Sequence, residues 1–142
     1  MFKKEENFDL EIFRTLSQNQ KISIINLLFL IARCDGEVSN QPNENKFICS
    51  FLSAFKINFN NCMKYFDLGG IKSMIADLIS LSRQQKEYLL LTSYDLMLCD
   101  GKVNETEINI TIHFFEQLGI SEDECFEIIQ KTVLLIQMGN KH

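Results

Sequence analysis

The chain contains an internal repeat, and this feature limits its possible folds more than any other. Residues 34–38 read Cys-Asp-Gly-Glu-Val, and residues 99–103 read Cys-Asp-Gly-Lys-Val. Apolar, helix-like sequence precedes both motifs. A repeated helix–loop–helix places its two loops in equivalent positions about a pseudo-two-fold axis. Two acidic loops brought together in this way would form one site that neither forms alone.

The repeat extends well beyond the two motifs. Ser17 to Lys21 aligns with Ser82 to Lys86 ahead of the loops, and the first loop then carries two extra residues. Beyond this insertion the identities resume at a constant spacing, and they pair Glu44 with Glu107, Phe51 with Phe114, Ile57 with Ile120, and Cys62 with Cys125. We therefore predict one domain over residues 1–142, with repeat one at 17–66, a linking helix at 71–81 and repeat two at 82–129.

The local signals predict an all-α fold of about eight helices in two pseudo-two-fold-related repeats. The chain has one Pro and a hydrophobic content of 46%, enough for a core. A capping box, in which a Ser or Asn and a Glu or Gln three residues later bond each other's backbone, begins several of the helices. These boxes start at Ser17, Ser82, Asn104 and Ser121. Further helices are predicted at 8–16, from Pro42 to Phe55, from Asn58 or Asn60 to Gly69-Gly70, and at 71–81.

Charge and composition limit the kinds of partner that we expect the chain to bind and the place where we expect it. The net charge is −5 and no basic stripe is present, so we expect no nucleic-acid binding. No segment reaches the roughly 18 apolar residues of a membrane-crossing helix, so we expect no membrane insertion. The charged N-terminus lacks the apolar core of a signal peptide, and the five cysteines form no Cys-x-x-Cys. These features predict a cytoplasmic protein whose repeat-equivalent cysteines are reduced core residues.

The two loops concentrate oxygen ligands of the kind that hard divalent cations prefer. Asp35 and Glu44 belong to the first loop, and Asp100 and Glu107 to the second. We predict that these four form a divalent-metal site of unknown metal identity, because four carboxylates brought together repel one another unless a cation lies between them. Secondary ligands would be Glu37 and Asn104. The loops are not EF-hands, since Gly follows the first Asp immediately.

A structural interpretation of the same loops stays open. Asp-Gly commonly ends a helix, and Glu107 fits a capping box opened by Asn104. The positive charge between the carboxylates would then come from Arg33, Lys46 or Lys102. Catalytic signatures are absent from the sequence, and His113, lying in the middle of a predicted helix, has no evident catalytic partner. We therefore predict that the chain is not an enzyme.

The paired loops, each followed by a Glu at a helix start, resemble those of the TerB family of tellurite-resistance proteins. That family's loop reads approximately Ala-Asp-Gly-x-Val-x-x-x-Glu. Residues 99–107 follow it closely, with Cys in the Ala position, whereas Pro42 stands in the first loop where the pattern has Glu. The resemblance covers about residues 17–130. It implies an all-helical binding or scaffolding domain, with suspected metal binding at the acidic loops, in a bacterial stress response.

Two further interpretations belong to other functional classes. The chain would be a protein-interaction module with purely structural acidic loops, binding an unidentified protein partner; a homodimer is compatible with this. The apolar run of residues 133–136 on the last helix is a candidate surface, unless it completes the core. A small helical enzyme using the paired carboxylates is the third interpretation, and it requires a solvent-reachable pocket that contains them.

Overall fold

The computed structural model describes residues 10–33, 42–99 and 104–140, and the regular structure in these ranges is helical throughout. The predicted all-α class is therefore confirmed. A 3₁₀ helix at Leu10–Phe13 precedes six α-helices, which are α1 (Gln18–Arg33), α2 (Pro42–Phe55), α3 (Phe59–Leu78), α4 (Arg83–Leu98), α5 (Glu105–Gln117) and α6 (Glu122–Asn140).

The number of helices differs from the predicted figure of about eight for two reasons. The predicted first helix is a single 3₁₀ turn over the described residues, because the capping box of α1 follows closely: Gln20 N donates to Ser17 Oγ, and Ser17 N donates to Gln20 Oε1. The two helices predicted on either side of Gly70 are both present, and they are numbered together as α3 because one follows the other directly. Gly70 has φ 60° and ψ −155°, so α3 is kinked sharply where the sequence predicts a break between helices.

Short polar side chains start the helices where the sequence predicts. Ser82 and Gln85 form a complete capping box at α4, with bonds of 3.1 and 2.9 Å. Ser121 and Glu124 make the same pair of bonds ahead of α6, at 3.2 and 3.0 Å. Asn58 caps α3 by accepting from Asn60 N. These local bonds satisfy backbone N–H groups that a helix start leaves without intrahelical partners.

The ends of α2 and α5 close in the same way at positions that align in the sequence repeat. Lys56 has φ 57° and Gly119 has φ 95°, both in the left-handed region. Ile57 N then donates to Leu52 O at 3.0 Å, and Ile120 N donates to Phe115 O at the same distance. These are the bonds of a helix C-terminus closed by one left-handed residue.

The two long apolar helices form the centre of the core. α1 buries nine of its residues and packs against α2, α3, α4 and α5, whereas α4 packs against α2, α5, α6 and the 3₁₀ helix. Phe13, from the 3₁₀ helix, fills the gap between α2 and α4, with its ring 6.3 Å from that of Phe55 and 5.3 Å from that of Tyr88. Each central helix thus contacts the second helix of both halves of the chain.

None of the helices built from the described residues combines the length and apolar character needed to cross a membrane.

Candidate functional site

Two of the four predicted metal ligands, Glu44 and Glu107, are buried acidic side chains at helix starts. Glu44 lies in the first turn of α2 and is 1% exposed; Glu107 lies in the first turn of α5 and is 3% exposed. An ionised carboxylate is rarely buried to this extent without hydrogen bonds or a positive charge, because desolvation costs several kcal/mol. Negative charge is favourable at a helix N-terminus, which lowers that cost in both places.

Asn104, a predicted secondary ligand, acts as the N-cap of α5. Its Oδ1 accepts from Thr106 N at 2.7 Å and from Glu107 N at 3.4 Å. Further into α5, the Thr111 hydroxyl donates to the Glu107 carbonyl at 2.8 Å. The Asn104 side chain is therefore positioned by the helix start that it stabilises, directly beside the buried Glu107.

The remaining predicted ligands, Asp35, Glu37 and Asp100, lie outside the described residues. Within ranges 10–33, 42–99 and 104–140, no three His, Cys, Asp or Glu side chains form a group that could hold a metal ion. Neither Glu44 nor Glu107 therefore belongs to such a group in the described part of the chain. The four-carboxylate site stays a prediction whose other half rests on Asp35 and Asp100.

The structure describes two of the three basic residues that were predicted as an alternative to the cation. The Arg33 guanidinium, in the last turn of α1, lies 4.5 Å from the centre of the Phe29 ring. Such a contact is a favourable cation–π interaction. Lys46 is exposed on α2, and Lys102 lies outside the described residues.

Sequence reasoning missed a third buried acid, Asp95. It lies in the last turn of α4, is 7% exposed, and its Oδ2 has no hydrogen-bond partner in the described part of the chain. Burial raises the pKa of Asp95 to about 7. A signal was present in the sequence, because an Asp among apolar residues at a helix C-terminus is unfavourable to the helix dipole.

The positions of His113 and of two buried cysteines do not indicate a reactive site. His113 is exposed on α5, with its Nδ1 3.7 Å from Glu116 Oε1. Cys62 and Cys125 are fully buried, and burial raises the pKa of each thiol to about 11. These two thiols therefore stay protonated at neutral pH and behave as small core residues, as predicted. Cys99 is only half-buried, and Cys34 lies outside the described residues.

Two apolar grooves open on the surface, at related positions in the two halves of the chain. The first groove, of about 360 Å³, lies between α1 and α3 and is lined by Asn26, Phe29, Leu30, Arg33, Met63, Phe66 and Asp67. The second groove, of about 260 Å³, lies among α4, α5 and α6 and is lined by Leu90, Tyr94, Met97, Ile108, Thr111, Ile112, Phe126 and Ile129. Three of their lining positions align in the sequence repeat: Phe29 with Tyr94, Met63 with Phe126, and Phe66 with Ile129.

The predicted apolar surface of the last helix is described in part. Leu134 is 56% exposed and Val133 is half-buried, whereas the side chains of residues 135–140 are outside the description. At least one large apolar side chain of this run therefore faces solvent.

No protein-family model, curated protein or solved structure matches the chain, so the likeness to TerB proteins rests on the two loop motifs and their duplication.

Proposed function

We propose that the chain is a TerB-like, non-enzymatic binding or scaffolding domain of a bacterial stress or tellurite-resistance response, linked to a divalent cation at its two acidic loops. The observation that supports this most directly is the burial of Glu44 and Glu107. They align in the sequence repeat and begin the helices that follow the two loops. One cation shared by both loops would offset the repulsion among the carboxylates that surround it.

The proposal includes two structural repeats related by a pseudo-two-fold axis. Two pairs of equivalent features support this arrangement. Lys56 and Gly119 close their helices in the left-handed conformation and are followed by hydrogen bonds of equal length, and Cys62 and Cys125 are both completely buried. The contacts between helices point the same way, since α1 packs against α5 and α4 packs against α2. In such an arrangement the loops that precede α2 and α5 occupy equivalent places.

Thermal unfolding in the presence of Ca²⁺, Mg²⁺ or Zn²⁺ tests the cation. A cation at 100 times its Kd adds about 2.7 kcal/mol to the free energy of unfolding, if it does not bind the unfolded chain. We expect one of the three to raise the Tm of the native protein and to have no effect on the Asp35→Asn/Asp100→Asn double variant. No shift with any cation, or an equal shift in the double variant, would refute the cation site.

A matched pair of α5 variants separates ligation from helix capping. Glu105 and Glu107 both lie in the first turn of α5, but Glu105 is exposed and Glu107 is buried. Both changes to Gln remove a charge that favours the helix N-terminus. Only Glu107→Gln should remove the cation-dependent rise in Tm, whereas Glu105→Gln should retain it.

The second candidate is a protein-interaction module whose acidic loops are purely structural. The exposed apolar grooves and Leu134 favour it, because they are surfaces that a partner, including a second copy of the chain, would cover. It predicts a Tm indifferent to all three cations. The third candidate, an enzyme using paired carboxylates, has less support: neither Glu44 nor Glu107 lines any of four surface pockets among the described residues.

A further inference from the structure

We propose that the second groove binds a basic amphipathic helix of a protein partner. The inference rests on the proposed role as a binding domain, but not on the cation at the acidic loops. Its anchor positions on the protein are Phe126 on α6, Tyr94 on α4, and Ile108 and Ile112 on α5. Together these helices form three apolar walls around one opening.

The groove is the right size for side chains of a partner rather than for a separate small molecule. Its volume is about 260 Å³, below the range of about 300–1,000 Å³ that is usual for small-molecule sites. A cavity of about 150 Å³ holds one benzene, so this groove accommodates one or two large apolar side chains. An amphipathic helix presents such side chains three or four residues apart, on one face.

The wall of the groove reaches the surface. Phe126 is 41% exposed, and Tyr94, Ile108 and Ile129 are half-buried. The lining includes two side chains with a hydroxyl, Tyr94 and Thr111, and the Thr111 hydroxyl already donates to the Glu107 carbonyl. The exposed part of the groove therefore offers apolar contact, and specificity must come from its rim.

The charge of the chain is concentrated in the part that forms two of the three walls. Residues 104–142 contain seven acidic residues and two lysines, Lys131 and Lys141, whereas residues 1–103 contain twelve of each sign. The whole net charge of −5 thus belongs to the last quarter of the chain. An asymmetry of this kind indicates a partner of opposite charge.

Exposed acidic side chains lie one turn away from the groove on both α5 and α6. Glu105 is three residues before Ile108, Glu116 is four residues after Ile112, and Glu122 is four residues before Phe126. Residues at these spacings are neighbours on a helix surface. Each of the three is exposed, so each can meet a lysine or arginine of a docked helix.

The nearby basic side chains Lys86 and Lys131 are not part of the lining of the second groove. Lys86 Nζ donates to the Leu118 carbonyl at 2.9 Å, and Lys131 lines a separate surface pocket with Arg83 and Glu87. The first groove differs, because Arg33 and Asp67 give its lining both signs of charge. Charge therefore distinguishes the second groove as the site for a basic helix, and it also opposes docking of an anionic lipid surface.

Fluorescence anisotropy with two synthetic 18-residue peptides tests the proposal. Both peptides carry Leu at helical spacing; the other positions are Lys in one and Glu in the other. We expect the Lys peptide to bind the native protein and the Glu peptide not to bind. Binding should weaken as NaCl rises from about 50 to 300 mM, because salt screens exposed charges. Equal binding of the two peptides would overturn the proposal.

Matched variants locate the binding site. Phe126 and Met63 align in the sequence repeat and are 41% and 46% exposed, so neither change to Ser should unfold the protein. Phe126→Ser should weaken binding of the Lys peptide by at least about tenfold, whereas Met63→Ser should change it less than twofold. Equal losses, or none with Phe126→Ser, would place the peptide elsewhere and overturn the proposal.

A charge variant and a vesicle control complete the test. Glu105→Gln/Glu122→Gln should weaken binding of the Lys peptide and flatten its salt dependence, with the Tm followed to confirm folding. Co-sedimentation of the native protein with phosphatidylcholine vesicles that is lost with Phe126→Ser would assign the groove to a membrane and refute a peptide site. The cation titration is independent: if no cation shifts the Tm but the Lys peptide binds through Phe126, only the cation proposal fails.

Discussion

The Tyr65 hydroxyl donates a hydrogen bond of 2.6 Å to Asp77 Oδ2, joining the two sides of the kinked helix α3. In a straight α-helix, twelve residues span about 18 Å, so the bond exists only because the chain turns at Gly70. The Ser23 hydroxyl of α1 donates to the same oxygen at 2.7 Å. One carboxylate thus fixes both halves of α3 and the central helix around which they pack.

Removing the Tyr65 hydroxyl should destabilise the protein without emptying the core. Tyr65→Phe retains the ring and removes one hydrogen bond to a charged acceptor, so we expect a loss of about 1–3 kcal/mol in urea unfolding. The hydrogen bond with Asp77, together with burial, raises the pKa of Tyr65 to about 12. Its titration in the native protein should therefore shift upward from the usual value near 10, which a spectrophotometric titration will detect.

The shared acceptor predicts coupling between Tyr65 and Ser23. Ser23→Ala should cost about 1 kcal/mol alone, and the double variant with Tyr65→Phe should depart from the sum of the two single losses by about 0.5 kcal/mol or more. Strict additivity in this cycle would show that the two hydroxyls do not act on one carboxylate.

Replacing Gly70 should destabilise the bend through backbone strain alone. Its φ of 60° with ψ of −155° lies in a region that is essentially restricted to glycine, while no atom lies within 4 Å of a Cβ built there. Gly70→Ala should therefore cost about 1–3 kcal/mol in urea unfolding. A loss below about 0.5 kcal/mol would indicate that the backbone relaxes to another conformation.

Local chemistry explains which parts of this fold were predictable. The helix starts at Ser82, Asn104 and Ser121 depend on bonds within four residues, so the sequence alone locates them. The kink of α3 was also visible, because the pair Gly69-Gly70 interrupts an otherwise helical pattern. The bond that Asp77 makes with Tyr65 across the kink, and the bond that it accepts from Ser23, join distant parts of the chain, which no short window reveals.

Local sequence patterns could not predict which acidic side chains are buried. Glu44 and Glu107 were found through the repeat and Asp95 was not found, although all three are buried. Whether a carboxylate at a given helix position faces water depends on the neighbouring helices. The second groove was not predicted for the same reason, since it forms only when α4, α5 and α6 pack together.

Substitutions at the left-handed residues that end α2 and α5 should change the stability of the protein in opposite directions. Lys56 holds φ 57°, which is strained for a residue with a Cβ, whereas Gly119 holds φ 95° without that penalty. Lys56→Gly should stabilise the protein by about 0.5–1 kcal/mol, and Gly119→Ala should destabilise it by about 1–2 kcal/mol. Both values are accessible by urea unfolding, and a loss of stability in Lys56→Gly would contradict the equivalence of the two closures.

The raised pKa of Asp95 predicts that the folded protein becomes less stable as the pH rises. Burial raises its pKa in the folded protein to about 7, against 3.8 for an ordinary Asp. Between pH 4 and 7 the unfolded chain loses this proton, whereas the folded chain keeps it. The contribution of Asp95 to the free energy of unfolding therefore declines over this pH range, by at most about 4 kcal/mol, and is constant at higher pH. Asp95→Asn abolishes the titration, so its stability relative to the native protein should be higher at pH 8 than at pH 4.5. Urea unfolding at both values measures the difference, and an equal effect of the substitution at the two pH values would show that Asp95 ionises normally in the folded state.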